Sequence, residues 1–162
     1  MSMIGNFLQL SSAQLESLIA DPSNVDAVIY PEDEESNDGI DIDKAWHGIH
    51  FLLSGDAWGG EPPLANVVLG GTEVGDDVGY GPARYLTADE VRAAANALQD
   101  ITPDVLRSRY VATALSENEI YPEIWDDPDD DAIEYLVTWY QILRDYYIDA
   151  AAKKNAMLKF LN

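Results

Sequence analysis

The segment Asp41–His50 carries the side chains best suited to chemistry. Both histidines of the chain, His47 and His50, lie in it three residues apart. On a helix this spacing places two side chains on neighbouring faces, within reach of one metal ion. Histidine is also a common general base near neutral pH, and carboxylates supply oxygen ligands. The candidate catalytic residues are Asp41, Asp43, His47 and His50, and the candidate pocket-lining residues are Trp46 and Trp58.

A structural role explains the same residues. An aspartate that precedes a helix caps its N-terminus. His50 shares an apolar helical stripe with Trp46 and Leu53, which is typical of a core histidine bonded to the main chain. The chain has no third histidine and no cysteine, so the usual donors of a zinc site are incomplete. The sequence therefore predicts no metal and no cofactor, and catalysis remains the alternative to binding.

Three other stretches contain residues of catalytic type in patterns that do not fit. Ser54-Gly55-Asp56 lacks the first glycine of a nucleophile elbow and follows a predicted helix rather than a strand. The glycines between Gly70 and Gly81 match neither phosphate-binding pattern, so they are assigned to turns. Asp126–Asp131 holds five carboxylates but lacks the glycine and glutamate of an EF-hand. Such a run is typical of a solvated helix start.

The net charge of −21, from 30 acidic and nine basic residues, limits the partners. This field repels nucleic-acid phosphates and anionic membranes, so neither is a predicted partner. It attracts a basic protein and speeds the encounter, although the same charge also serves solubility or salt adaptation. The candidate binding carboxylates are Glu32, Asp33, Glu34, Glu35, Asp76, Asp77, Asp126 and Asp127.

Local patterns predict the elements that position these residues. Strands are predicted over Met3–Leu10, Ala83–Leu86 and Ala156–Leu161, the last pairing with the first. Capping boxes at Ser11 and Thr87, and the Thr102-Pro103 pair, each predict a helix start. Further helices are predicted over Asp41–Ser54, Pro62–Leu69 and about Asp130–Ala152, with a turn-rich loop over Glu73–Pro82. The result is an α+β fold in one domain, residues 1–162, mostly helical with a small sheet that contains both terminal strands.

Tyr135, Trp139, Ile142 or Leu143, and Tyr146 are predicted to form the buried stripe of the longest helix. Two interpretations are open for Tyr140 and Tyr147. Core or half-buried packing is favoured, and the alternative is a position outside the stripe, where exposed aromatic side chains can anchor a partner.

The predicted compartment is based on the absence of cysteine, of a signal-peptide pattern and of a long apolar run. Without cysteine there are no disulfides or thiolate sites, which fits a reducing cytosol. Met1–Leu10 has neither the basic region nor the apolar core of a signal peptide, and no apolar run reaches the ~18 residues of a membrane span. We expect a cytoplasmic protein, with its oligomeric state left open.

Several short blocks carry a family resemblance. They are Met1-x-Met3-Ile4-Gly5, Asp41-Ile42-Asp43-Lys44-x-Trp46-x-x-Ile49-His50, Leu52 with Ser54-Gly55, Pro63-Leu64, Val68-Leu69-Gly70-Gly71, Tyr85-Leu86-Thr87 and Glu119-Ile120-Tyr121-Pro122. In these blocks the chain resembles the YfbM-like family of small bacterial proteins, domain of unknown function 1877. The resemblance implies a compact α+β domain of about this length. It implies no established activity and no agreed catalytic residues.

Two functional hypotheses remain. The first is a small acidic binding protein, in its most concrete form an immunity or antitoxin-like inhibitor that masks a basic effector. The second is a hydrolase or metal-binding domain that uses Asp41, Asp43, His47 and His50.

Overall fold

The computed structural model describes residues 2–31, 39–127 and 131–162. Their strands form a five-stranded antiparallel sheet in the order β2-β1-β5-β4-β3. The strands are β1 (Gly5–Leu10), β2 (Ile40–Asp41), β3 (Thr72–Asp77), β4 (Pro82–Leu86) and β5 (Ala156–Leu161). The predicted pairing of the two terminal strands is confirmed, from Gly5 opposite Leu161 to Leu10 opposite Ala156. The α+β prediction is confirmed as well.

The helices are α1 (Ser12–Ala20), α2 (Val25–Ile29), α3 (Trp46–Ser54), α4 (Ala88–Gln99), α5 (Pro103–Ser108), α6 (Ala112–Glu117) and α7 (Ala132–Ala152). In α1, α4 and α5, a side chain satisfies one of the first free N–H groups. Both predicted capping boxes are present, at Ser11 and at Thr87, and the Thr102 hydroxyl caps α5. Within the described ranges, no helix combines the length and apolar character that crossing a bilayer requires.

The sheet separates two hydrophobic cores, because successive side chains of a strand point to opposite faces. The larger core packs residues of α3–α7 against one face, where Phe7 and Met157 lie. The smaller core packs α1 and α2 against the other face, on Leu10 and Leu158. Lys159 and Arg84 alternate with these residues and therefore lie on the face of the larger core.

The predicted start of the helix at Asp41 is wrong. Ile40–Asp41 forms β2, which pairs with β1, and the main-chain N–H of Ile42 donates to the carbonyl of Gly5. A 3-10 turn over Asp43–Ala45 then leads into α3, which begins at Trp46. Pairing with the otherwise open side of β1 outweighs the helical pattern of these residues.

Two predictions in the connection to β4 also need correction. Within Pro62–Leu69 only one 3-10 turn forms, at Leu64–Asn66. Glu73–Pro82 is mainly a hairpin rather than a loop, because Thr72–Asp77 pairs with β4. The register shifts between Val74 and Asp77, where Gly75 has φ of 75°. Such a bulge needs a glycine and so resembles a turn in the sequence.

The buried stripe of α7 differs from the predicted one. Tyr140 and Tyr147 are fully buried, and their hydroxyls donate to the carbonyls of Ile101 and Val67, both at 2.6 Å. The favoured prediction of core packing for these two tyrosines is therefore confirmed, and the alternative, exposure outside the stripe, is wrong. Of the residues predicted to be buried, only Leu143 is fully so; Tyr135, Trp139 and Tyr146 are half-buried, and Ile142 is 41% exposed.

Candidate functional site

The two histidines are placed by α3 and are almost fully buried. The Nδ1 atom of His47 accepts a hydrogen bond from the main-chain N–H of Tyr121 at 2.8 Å. Its Nε2 therefore carries the proton and donates to the carbonyl of Ala57 at 2.8 Å. Burial lowers the pKa of His47, with the Ala57 carbonyl opposing the change. His47 is thus a neutral imidazole with both ring nitrogens bonded to the main chain.

Among the described residues, only one ring nitrogen of His50 makes a hydrogen bond. Its Nε2 lies 2.9 Å from the carbonyl oxygen of Gly59, to which it donates. Among the described residues, its buried Nδ1 has no hydrogen-bond partner. Burial lowers the pKa of His50 to about 4; the Gly59 carbonyl opposes this, and the charge of Lys159 adds to it.

The loop after α3 presents the carbonyls that the histidines bind. Gly55, at φ of 77°, ends α3 in the left-handed conformation. The Asp56 carboxylate then accepts from the main-chain N–H groups of Trp58 at 3.0 Å and Gly59 at 2.9 Å. This tight turn leaves the Trp58 side chain 64% exposed.

An aromatic stack joins α3 to this loop. The Trp46 ring is fully buried, and its Nε1 donates to the carbonyl of Met3 at 2.8 Å. It stacks on the His47 ring at 5.0 Å, while the Trp58 ring lies 4.3 Å from that ring on the outside. Of the two candidate pocket-lining tryptophans, Trp46 is therefore in the core, and Trp58 is at the surface.

Asp41 and Asp43 make their hydrogen bonds elsewhere. The Asp41 carboxylate accepts from the main-chain N–H of Asp43 at 3.1 Å, and the Asp43 carboxylate accepts from the Tyr135 hydroxyl at 2.6 Å. Burial raises the pKa of Tyr135, and Asp43 adds to this. Neither aspartate shares a hydrogen bond with a histidine. Within the described residues, no three His, Asp or Glu side chains are grouped to hold a metal ion.

The candidate binding carboxylates that the structure describes are exposed, and some also support turns. Asp77 accepts from the main-chain N–H groups of Gly79 at 2.7 Å and Gly81 at 3.2 Å, which closes the β3–β4 hairpin. Asp126 accepts from the Ser116 hydroxyl at 2.6 Å. Asp76 and Asp127 are exposed as well, and Glu32, Asp33, Glu34 and Glu35 lie outside the described residues.

A second polar centre was not predicted. Lys159 is only 3% exposed, and its Nζ donates to the carbonyls of Asn66 and Gly70. Arg84, its neighbour on β4, donates to the carbonyl of Leu69. Both side chains line a cavity of about 230 Å³. The available signal was a lysine within the apolar strand Ala156–Leu161, at a position that alternation assigns to the core face.

The sheet order and the helical layers define an α+β domain. Its buried polar side chains, the histidines among them, surround one loop. A family model described as domain of unknown function (DUF1877) matches residues 1–160. The chain therefore belongs to the DUF1877 family.

Two comparisons support this membership. Protein YfbM of Escherichia coli (strain K12) is 27% identical over 130 residues, which is 76% of this chain and 75% of that protein. The crystal structure of a protein of unknown function, YfbM from Escherichia coli, matches with a TM-score of 0.75 and 23% identity, over 98% of this chain and 99% of that one. The structural likeness shows the fold alone. The chain is thus an uncharacterised YfbM-like domain of unknown function.

Proposed function

We propose that this chain is a cytoplasmic binding protein without catalysis, which takes a basic protein as partner in the manner of an immunity or antitoxin-like inhibitor. The observation that carries the proposal is its excess of exposed negative charge. The chain has 30 acidic residues against nine basic ones. One of those nine, Lys159, is buried and donates to loop carbonyls instead of covering the acidic surface.

Few of the carboxylates are neutralised within the molecule. In the described parts of the chain, ion pairs form with four basic residues only, which are Arg84, Arg92, Arg107 and Lys153. All of these pairs are solvent-exposed and contribute little to stability. Exposed carboxylates without such an ion pair lie on α1, α2, β3, α6 and α7, among them Glu16, Asp26, Asp76, Glu117 and Asp145. The negative charge therefore favours association with a basic partner more than it stabilises the fold.

A basic effector is the partner that this field selects. Long-range attraction raises the association rate of oppositely charged proteins, and it weakens as salt shortens the screening length. Carboxylates also resemble phosphate oxygens in charge and hydrogen bonding. An acidic inhibitor can therefore occupy the site of an enzyme that acts on nucleic acid.

The alternative, a hydrolase or metal-binding domain on Asp41, Asp43, His47 and His50, has weaker geometric support. The ring nitrogens of His47 are both occupied by the main chain. The Asp41 carboxylate accepts from the main-chain N–H of Asp43, and the Asp43 carboxylate accepts from the Tyr135 hydroxyl. Neither carboxylate bonds to a histidine. A general base needs a lone pair that substrate can reach, and His50 is 1% exposed.

The test is a pull-down from native lysate with the whole chain as bait, across a salt series. We expect a basic protein that binds at low salt and elutes between about 50 and 200 mM, because screening at this range removes most long-range attraction. Retention of no basic protein, or retention that salt does not change, would contradict the proposal.

Matched variants then locate the contact face on the purified pair. One removes three candidate charges, with Asp76→Asn, Asp126→Asn and Asp127→Asn. The control removes three others, with Glu16→Gln, Asp26→Asn and Asp145→Asn. Both variants have the same net charge, so a larger fall in association rate for the first assigns the face. Asp77 is left unchanged because it closes the hairpin turn.

A further inference from the structure

The cavity found beside Lys159 lies at one end of the sheet. Its volume is about 230 Å³, and its walls come from β1, β4, β5 and the two loops that carry Trp58 and Tyr80. Phe7, Leu69 and Leu161 supply apolar surface, and Arg84 and Lys159 supply positive charge. Apolar walls with a few converging polar groups are the usual composition of a small-molecule site.

The two cations are neighbours in the sheet. Lys159 on β5 pairs with Phe7 on one side and with Arg84 on the other. Among the described residues, Lys159 has no ion pair with a carboxylate, and the one that Arg84 makes, with Glu73 at 3.5 Å, is exposed. Burial lowers the pKa of Lys159 well below its ordinary value, the Arg84 charge adds to this, and the Glu90 charge opposes it. An anion bound in the cavity would offset the repulsion between the two cations.

Lys159 retains donor capacity after folding. An ammonium has three N–H donors, and two are used by the carbonyls of Asn66 and Gly70. Arg84 has five donors, and it donates to the carbonyl of Leu69 and to the carboxylate of Glu73. A carboxylate of a ligand can accept from the remaining donors, and charge-assisted bonds of this kind are the strong ones.

Two exposed aromatic rings stand at the cavity, Trp58 at 64% and Tyr80 at 38% exposure. Each lies in a turn that an aspartate closes, Asp56 for Trp58 and Asp77 for Tyr80. The turns hold both rings near the cavity without burying them in the core. Exposed aromatic side chains held by ordered turns are suited to contact the flat face of a ligand.

We propose that this cavity binds a small ring-bearing carboxylate, with its anionic group on Lys159 and Arg84 and its ring against Trp58 and Tyr80. The cavity is smaller than the ~300–1,000 Å³ typical of drug-sized ligands, which limits the ligand to about one ring. This site differs in place and chemistry from the acidic surface, so it does not depend on the proposed basic partner.

The experiment titrates the whole chain with benzoate and follows the indole N–H signal of Trp58 by NMR. That signal is assigned by its loss in Trp58→Phe. We expect it to shift saturably, with half-saturation below about 10 mM, while the signal of Trp125 in the core stays in place. Benzamide has the same shape without the charge, and we expect it to bind at least about tenfold more weakly.

Variants test the roles of the cations. Lys159→Met and Arg84→Gln should each weaken benzoate binding about tenfold or more, whereas Arg92→Gln, an exposed arginine on α4, should leave it unchanged. If Lys159→Met does not fold, Arg84→Gln decides, since Arg84 is part-exposed. The proposal is overturned by a wild-type chain without a saturable shift, by equal binding of benzamide, or by equal binding in Arg84→Gln and Arg92→Gln.

Discussion

The loop that joins α3 to β3, residues 55–71, is held by different side chains in its two halves. In the first half, neutral His47 and His50 bond to the carbonyls of Ala57 and Gly59. In the second half, Lys159 and Arg84 bond to the carbonyls of Asn66, Leu69 and Gly70. Both halves use ionisable side chains to satisfy loop carbonyls, which have no partner in a regular helix or strand.

The difference lies in what remains after the bonds are made. A neutral imidazole offers one donor and one acceptor, and His47 uses both, so it adds no charge to the interior. A lysine and an arginine bring charge and more donors than three carbonyls need. His47 therefore has no unused hydrogen-bonding group, and among the described residues His50 keeps one unpaired buried nitrogen. The cationic half, by contrast, retains the capacity to bind an anion.

The largest expected effect comes from breaking the histidine half. His47→Ala leaves the Tyr121 N–H and the Ala57 carbonyl without partners and removes a ring that contacts both Trp46 and Trp58. We expect the free energy of unfolding to fall by about 3 kcal/mol, from unsatisfied polar groups and lost packing. Urea denaturation measures it. Gln141→Ala, at an exposed site on α7, is the control, and a His47→Ala loss no larger than that of the control contradicts this assignment.

The second prediction concerns pH. The pKa of His50 is about 4 in the folded chain and near 6.5 when unfolded. Between these values the unfolded state binds more protons, so stability is highest above pH 6.5 and falls as the pH drops towards 4. His50→Gln keeps a donor for Gly59 and removes the titration. The wild type should lose up to about 3 kcal/mol relative to this variant across the window. A constant difference between the two from pH 7 to about 4 would argue against a buried neutral His50.

Local signals in the sequence predicted local structure well. The capping boxes at Ser11 and Thr87 depend on residues three positions apart, and both are present. The predicted stripe of α7 was wrong at Tyr135, Trp139 and Tyr146, which are half-buried, because helical spacing alone does not decide which of two neighbouring faces is buried. The carbonyls of Ile101 and Val67, distant in sequence, accept from Tyr140 and Tyr147 and make the polar ends of these residues compatible with burial.

The site was predictable only in part for the same reason. The segment with both histidines was singled out, but their spacing carries no information about the carbonyls of Ala57 and Gly59 that they bind. Asp41 lies in a strand because β1 offers a partner, which no helical pattern can reveal. The cavity of Lys159 and Arg84 depends on the pairing of β4 with β5, a contact between residues 75 positions apart.

The smallest expected effect on stability is at Trp58, which lies next to both halves of the loop. Its ring lies 4.3 Å from that of His47 and also lines the cavity. Since the side chain is 64% exposed, Trp58→Ala should lower the free energy of unfolding by less than about 1 kcal/mol. Trp46→Phe, which loses a buried bond to Met3, is the contrast and should cost more. Urea unfolding of both variants decides the matter. If Trp58→Ala lowers the free energy of unfolding as much as Trp46→Phe does, the Trp58 ring belongs to the packing of the histidine half. Its exposure would then not indicate a ligand.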